Sequence, residues 1–193
     1  MMNKEIITVV SGLPRSGTSM MMKMLEAGGM EIMKDGIRKA DDDNPNGYYE
    51  FEKAKELEKD TSWLKDAKGK VVKIISALLE HLPEKYNYKI IFMHRNMDEI
   101  LNSQRQMLIR RGEPTDEVSD EKMNKMFLKH LQTVEEKLKK KSNIDVLPVH
   151  YNEFLEEPET HSKIVNQFLK ISLNADNMIS VVDHSLYRQR KKS

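Results

Sequence analysis

Residues 6–19 read IITVVSGLPRSGTS, and this stretch decides the fold. Its first part, residues 6–10, is a β-branched apolar run, which is the pattern of a strand buried on both faces. Gly, Pro and Ser dominate residues 11–17, which indicates a loop. From Thr18 onward apolar residues recur with a helical spacing, and the glycine pair that begins at Gly28 ends the helix. The stretch therefore predicts a strand, a loop and a helix in that order.

The same alternation of strands and helices continues along the chain. Helical spacing predicts a helix over residues 97–110, a long helix capped by Ser119 and a helix with Pro158 in its first turn. Further strands are predicted at residues 71–75 (VVKII), 89–93 (KIIFM) and 145–149 (DVLPV). Pro148 favours an edge position for the last of these strands. The pattern predicts an α/β fold in which helices flank both faces of a parallel sheet.

Composition narrows the classes of function. The chain has 193 residues, which fits a single domain over residues 1–193. Its 32 Lys and Arg nearly cancel its 31 Asp and Glu, which argues against a nucleic-acid partner. The apolar run at residues 6–10 is too short for a membrane span or a signal peptide, so no membrane partner is expected. The chain has no cysteine, which excludes disulfides and fits a cytoplasmic location.

The loop between the first strand and the first helix is a candidate anion site. Backbone N–H groups and the positive end of a helix meet at such a junction. The spacing from Gly12 to Gly17 matches a Walker A loop, but Thr18 stands where that loop has its Lys. Arg15, inside the loop, offers a planar cation suited to phosphate or sulfate oxygens. The alternative is a glycine-rich turn that binds no ligand. Such a turn does not need two hydroxyls and an arginine in one short segment, so the pattern favours anion binding.

Residues 14–19, PRSGTS, resemble the 5′-phosphosulfate loop of the sulfotransferases that use 3′-phosphoadenosine 5′-phosphosulfate (PAPS). The resemblance implies a P-loop-like sulfotransferase fold and PAPS as donor, bound without a metal ion. The arginine in the loop is similar to the carbohydrate and tyrosylprotein branches of that family, whereas cytosolic members generally carry lysine. The donor-binding residues implied by the resemblance are Pro14, Arg15, Ser16, Gly17, Thr18 and Ser19.

A second segment, residues 92–103 (FMHRNMDEILNS), is similar to the family's other nucleotide motif. That resemblance implies that Arg95 and Ser103 hold the 3′-phosphate of the donor. A guanidinium at a strand end and a hydroxyl on the next helix are able to converge on one dianion. Near the end of the chain, residues 186–191 resemble a basic element of the family that approaches the same phosphate, which makes Arg188 a further candidate.

Sulfuryl transfer needs stabilisation of a leaving oxygen and a base for the proton of the acceptor. Arg15 and Thr18 are candidates for the first role. In the cytosolic branch the base is a histidine two residues after a strand lysine; here Lys73 fits the lysine, but Ile75 replaces the histidine. The tyrosylprotein branch instead uses a glutamate after the first helix, and Glu50 is the candidate for that role. The alternative reading of Glu50 is a residue that only starts a helix.

The resemblance implies sulfuryl transfer to a hydroxyl or an amine of a small-molecule or carbohydrate acceptor. Two other functions stay open from sequence: a P-loop small-molecule kinase, and a nucleotide-binding module without catalysis. The kinase needs the missing loop lysine and a metal-binding acid. The acidic run at residues 41–43 is able to bind a metal ion in principle, but a solvated charge run is favoured, and no metal is expected.

Overall fold

A parallel five-stranded sheet forms the centre of the protein, which we describe with a computed structural model. The structure describes residues 5–41, 44, 47–115, 117–183 and 187. The strands are Ile6–Gly12 (β1), Ile32–Met33 (β2), Val71–Lys73 (β3), Asn87–His94 (β4) and Ile144–His150 (β5). Their order in the sheet is β2-β3-β1-β4-β5, and all neighbouring pairs are parallel. Strand β1 is therefore central: the chain first adds β2 and β3 on one side of it and then crosses to add β4 and β5 on the other. Such a reversal is where α/β sheets form a ligand crevice.

Helices cover both faces of this sheet. They are Thr18–Ala27 (α1), Glu52–Lys55 (α2), Met97–Arg111 (α3), Asp120–Lys139 (α4), Tyr151–Glu156 (α5), Pro158–Leu169 (α6) and Ala175–Ser180 (α7). Successive strand residues point to opposite faces. Val9 packs in one apolar cluster with Val134 of α4, whereas Val10 packs in a second cluster with Met21 of α1 and Val165 of α6. The predicted α/β fold with helices on both faces is thus confirmed.

Most of the predicted elements are present, and the structure adds several short ones. The strand predicted at residues 71–75 ends at Lys73. Ile75 lies outside the sheet, directly before a 3₁₀ helix, Ser76–His81, and is 49% exposed. The two-residue strand β2, a second 3₁₀ helix, Ser62–Ala67, and the helices α5 and α7 were not predicted. A helix near Glu50 was expected as the alternative reading of that residue, and the short helix α2 begins two residues later, at Glu52. The caps at Ser119 and Pro158 and the outer position of β5 are confirmed.

The carboxyl ends of the central strands meet at one edge of the sheet. His94 of β4 pairs with His150 of β5, so Arg95 and Tyr151, the residues that follow them, leave the sheet at the same level. The glycine loop leaves β1 at this edge, and Lys73 ends β3 there. In the described ranges, no helix has the combination of length and apolar character that crossing a membrane requires.

Candidate functional site

A cavity of about 480 Å³ opens at the carboxyl edge of the sheet, a size in the usual range for small-molecule sites. Both sequence motifs contribute to its lining, since Arg15 and Thr18 come from the glycine loop and Arg95 and Ser103 from the second motif. Lys73 and the segment from Arg38 to Lys55 line the same cavity. The two predicted binding motifs, about 80 residues apart in sequence, therefore face one enclosed space.

The loop can adopt its shape only with glycine at two positions. Gly12 has φ of 149° and Gly17 has φ of 97°, a region that side chains disfavour. A Cβ on Gly17 would lie 2.4 Å from the ring of Tyr151, and a Cβ on Gly12 would lie 2.6 Å from the Met93 carbonyl oxygen. Helix α1 begins after Gly17 without a side-chain cap, so the first-turn N–H groups have no side-chain acceptor there. The loop thus presents backbone donors and a positive helix end to the cavity.

Ser16 differs from the other loop residues in the position of its side chain. It is fully buried, and both its backbone N–H and its hydroxyl donate to the carbonyl oxygen of Leu13, at 3.2 and 2.7 Å. Pro14, Arg15, Gly17, Thr18 and Ser19 line the cavity, whereas Ser16 does not. Its hydroxyl therefore holds the shape of the loop instead of facing a ligand.

Arg15, Arg95 and Ser103 lie in direct contact, and we call them the Arg–Ser cluster. The Nε atom of Arg15 donates to Ser103 Oγ at 2.9 Å, and Arg95 Nη1 donates to the Arg15 carbonyl oxygen at 3.1 Å. Arg15 adopts φ of 72°, a left-handed conformation that is uncommon outside glycine. Two guanidinium groups and a hydroxyl thus converge at the α3 end of the cavity, where they suit a dianion.

A second group of contacts surrounds Ser19, at the other end of the loop. Lys73 Nζ donates to Ser19 Oγ at 3.2 Å and also to the backbone carbonyl of Tyr48. Asn44 Nδ2 donates to the same Ser19 Oγ at 2.9 Å. Burial lowers the pKa of Lys73 to about 8. The negative charge of Glu50 raises the pKa and offsets part of this effect, whereas neighbouring cations, Arg38 most strongly, lower the pKa further. Lys73 is therefore a cation at neutral pH that loses its proton in mild alkali.

Glu50 lies on the wall of the cavity between two cations. Its Oε1 accepts from Arg38 Nη1 at 2.8 Å, and its Oε2 lies 2.9 Å from Lys55 Nζ. The guanidinium of Arg38 in turn stacks 3.3 Å above the ring of Tyr48. Helix α2 begins at Glu52, so Glu50 precedes the helix and does not start it. Its carboxylate lines the cavity and is held there by these two ion pairs.

The remaining candidates lie at the margin of the site or outside the described residues. Asp41 accepts hydrogen bonds from the hydroxyl of Tyr48 at 2.7 and 2.8 Å, so it supports the cavity wall. Asp42, Asp43 and Arg188 lie outside the described residues. Among the residues that the structure describes, no group of three or more His, Asp or Glu is placed to hold a metal ion.

Sequence reasoning missed the residues that support Arg95. Glu99 Oε2 accepts from Arg95 Nε at 2.9 Å, and the rings of Tyr151 and Tyr187 lie 4.7 and 5.5 Å from the Arg95 guanidinium carbon. Asn152 donates to the same glutamate. Two signals in the sequence point to these contacts: the spacing of four residues between Arg95 and Glu99, and the resemblance of residues 186–191 to an element that approaches the 3′-phosphate of the donor.

Comparison with known proteins places this site in a family. A family model described as "Sulfotransferase domain" matches residues 6–193. No curated protein sequence matches the chain. Among solved structures, a mouse sulfotransferase complexed with PAP is similar with a TM-score of 0.56 and 22% identity, covering 92% of this chain and 62% of its own. The chain thus spans less than two thirds of that protein.

Two further structures share the architecture. The sulfotransferase domain of the Synechococcus PCC 7002 olefin synthase has a TM-score of 0.55 and 13% identity, covering 97% of this chain and 81% of that one. Retinol dehydratase, solved with androsterone and the inactive cofactor PAP, has a TM-score of 0.50 and 16% identity, covering 94% and 64%. At these identities the likeness shows the fold alone. Because the family model spans nearly the whole chain, this protein belongs to the sulfotransferase domain family.

Proposed function

We propose that this protein transfers a sulfuryl group from PAPS to a hydroxyl or amine of a small-molecule acceptor. The observation that carries the proposal is the Arg–Ser cluster, which lies in one cavity with the glycine loop. PAPS has an anionic group at each end of its ribose, so it needs two anion sites that face the same space. Family membership supports the proposal, as does the PAP bound to two of the structural neighbours.

The residues present fit this donor at both ends. The ring of Tyr151 packs against Gly17 so closely that a side chain there would clash with it, and Gly17 lets the loop take its conformation before α1. In this proposal the loop and the N-terminus of α1 hold the 5′-phosphosulfate, and the Arg–Ser cluster holds the 3′-phosphate. ATP carries no 3′-phosphate and would leave Arg95 and Ser103 without a ligand group. The kinase alternative also lacks the loop lysine, which is Thr18 here.

PAPS supplies an activated sulfuryl group: its sulfur–oxygen bond to the 5′-phosphate breaks as a bond to the acceptor oxygen or nitrogen forms. Negative charge then develops on the 5′-phosphate, beside the loop. The loop N–H groups, the hydroxyl of Thr18 and the ammonium group of Lys73 stabilise that charge. Arg15 adds positive charge from the loop, although its side chain lies at the Ser103 end. Lys73 is the cation nearest to Ser19, so we assign it the larger catalytic effect.

We assign Glu50 the role of general base for the acceptor proton. The side chain of Lys55 is 48% exposed, whereas that of Arg38 is 35% exposed. The ion pair with Lys55 is therefore the one that opens most easily, and Arg38 keeps the carboxylate oriented meanwhile. A positioned base of this kind contributes about 10²–10⁴ in rate.

The walls near Glu50 indicate the kind of acceptor. Phe51, Ile75 and Leu78 line this part of the cavity and are apolar. Such walls favour a small molecule with an apolar body over a carbohydrate, whose hydroxyls would lose hydrogen bonds there. The androsterone bound by retinol dehydratase is a molecule of that type. We further propose that the reaction takes place in the cytoplasm, because a chain without cysteine suits a reducing compartment.

Calorimetric titration with adenosine 3′,5′-bisphosphate and with Mg-ATP tests the donor site. We expect tight binding of the bisphosphate and weak or absent binding of Mg-ATP; the reverse would support the kinase. Incubation with sulfur-35-labelled PAPS and a panel of phenols, alcohols and amines then tests transfer. Bisphosphate binding without transfer to any member of the panel would favour the module without catalysis.

A further inference from the structure

The buried carboxylate of Glu99 lies directly behind the Arg–Ser cluster. Its side chain is only 2% exposed, and it is bonded from three separate parts of the chain. Oε2 accepts from Arg95 Nε at 2.9 Å, Oε1 accepts from the Tyr187 hydroxyl at 2.5 Å, and Asn152 Nδ2 lies 3.2 Å from both oxygens. Asn152 belongs to α5, and Tyr187 lies beyond α7. This carboxylate therefore joins Tyr187 and Asn152 to the strand-end Arg95.

These contacts restrict Arg95 on several sides. Nε is bonded to Glu99 and Nη1 to the Arg15 carbonyl oxygen, while the guanidinium carbon lies 4.7 Å from the ring of Tyr151 and 5.5 Å from that of Tyr187. The Arg95 side chain is 8% exposed, so it has little room to adopt another rotamer. An arginine that is held in place before the ligand arrives loses less conformational entropy on binding.

We infer that Glu99 is a positioning residue for the 3′-phosphate site, and that Tyr187 contributes to this positioning through its hydrogen bond to Glu99. The inference rests on the proposed function, in which Arg95 holds the 3′-phosphate. Glu99 itself does not line the cavity, so it acts through Arg95. The buried ion pair stabilises the fold little, because the desolvation of two charges offsets their attraction. Its effect is on the orientation of the guanidinium.

Charge and orientation make opposite predictions for the removal of this carboxylate. A negative charge next to a phosphate site repels the phosphate, so charge alone predicts that Glu99→Gln binds a phosphate more tightly. Orientation predicts the reverse, because the neutral amide has one acceptor oxygen in place of two and cannot hold Arg95 Nε and the Tyr187 hydroxyl together as the carboxylate does. Titration of one variant therefore separates the two effects.

The experiment compares adenosine 3′,5′-bisphosphate with adenosine 5′-monophosphate, which lacks the 3′-phosphate. For Glu99→Gln we expect bisphosphate affinity to fall about tenfold or more, as for the loss of one charge-assisted hydrogen bond, with monophosphate affinity unchanged. Tyr187→Phe keeps the aromatic ring and leaves the charge of Glu99 in place but removes the hydroxyl. We expect its affinity for the bisphosphate to fall about threefold and its affinity for the monophosphate to stay unchanged. Tyr88→Phe is the matched control, because it removes a buried hydroxyl bonded to the Pro83 carbonyl, away from the cavity.

The outcomes are distinguishable. If the wild type does not prefer the bisphosphate, the assignment of the 3′-phosphate site fails, and the proposed function fails with it. If the wild type prefers the bisphosphate but Glu99→Gln binds it equally well or more tightly, only the positioning role is overturned. If Glu99→Gln loses equal affinity for both ligands, Glu99 has only a structural role, and the positioning role is again overturned. If Glu99→Gln does not fold, Tyr187→Phe decides, and unchanged preference in that variant overturns the inference.

Discussion

Replacement of Lys73 by methionine tests the catalytic end of the cavity through stability and activity together. Lys73 ends β3 with its ammonium group in a mostly buried position beside Ser19 and the Tyr48 carbonyl. Methionine keeps an unbranched apolar stem and removes the charge. We expect Lys73→Met to be more stable than the wild type at pH 7 and far less active, because the buried charge is retained for function at a cost in stability.

The magnitude follows from the pKa. Burial lowers the pKa of Lys73 from its ordinary 10.5 to about 8, which corresponds to about 3 kcal/mol of destabilisation when the group is charged. The variant loses the hydrogen bonds to Ser19 and to the Tyr48 carbonyl, which costs about 1–2 kcal/mol. We therefore expect the free energy of unfolding to rise by about 1–2 kcal/mol at pH 7, or a few degrees in Tm.

The effect has a defined dependence on pH. Because the folded pKa of Lys73 lies below the unfolded one, the unfolded chain binds more protons between about pH 8 and 10.5. Wild-type stability therefore rises relative to the variant across that window, and below pH 8 the difference is constant. We expect the advantage of Lys73→Met to disappear by about pH 10.

Urea unfolding of both proteins at pH 7, 8, 9 and 10 measures the stability difference, and sulfuryl-transfer rates at pH 7 measure activity. We expect kcat to fall by about 10²–10³, as for the loss of one preorganised donor. Lys89→Met is the control: Lys89 is also a buried lysine whose pKa burial lowers, but it lies outside the cavity. A variant that is less stable at pH 7, or a difference that does not vary with pH, would refute the reasoning, as would an unchanged kcat.

Three further predictions concern the loop, the base and the pH profile. Gly17→Ala places a Cβ 2.4 Å from the ring of Tyr151 at φ of 97°, so we expect bisphosphate affinity in calorimetry to fall at least about 100-fold; an affinity near wild type would contradict the loop geometry. Glu50→Gln is expected to lower kcat by about 10²–10⁴ with bisphosphate affinity unchanged, and a kcat within threefold of wild type would remove Glu50 as base. The transfer rate is expected to decline above about pH 8 as Lys73 loses its proton, and a flat profile to pH 9.5 would show that its charge is not needed.

The sequence alone was sufficient for the features that depend on local pattern. The β-branched run before the loop predicted β1, and the loop composition predicted the turn into α1. Arg95 and Ser103 lie within nine residues of each other, and the resemblance of residues 92–103 to a sulfotransferase motif predicted them as a pair. Short elements such as β2, with two residues, contain too few positions for any periodicity.

Contacts between distant segments were not predictable in the same way. Arg15 reaches Ser103, and Tyr187 reaches Glu99, each across 88 residues. The order of the strands in the sheet brings these segments together, and the spacing of apolar residues along the chain does not predict that order. The orientation of Ser16 depends on one hydrogen bond inside the loop, and that of Glu50 on two cations that flank it. Packing decides each of these orientations.

The central claim is that the glycine loop and Arg95 hold opposite ends of one nucleotide. Calorimetric titration of Arg95→Ala with adenosine 3′,5′-bisphosphate and with adenosine 5′-phosphosulfate tests it most directly, because only the first ligand has a 3′-phosphate. We expect the variant to lose about 100-fold in affinity for the bisphosphate and less than threefold for the phosphosulfate, as for the removal of one charged contact. Equal losses for both ligands would contradict the claim.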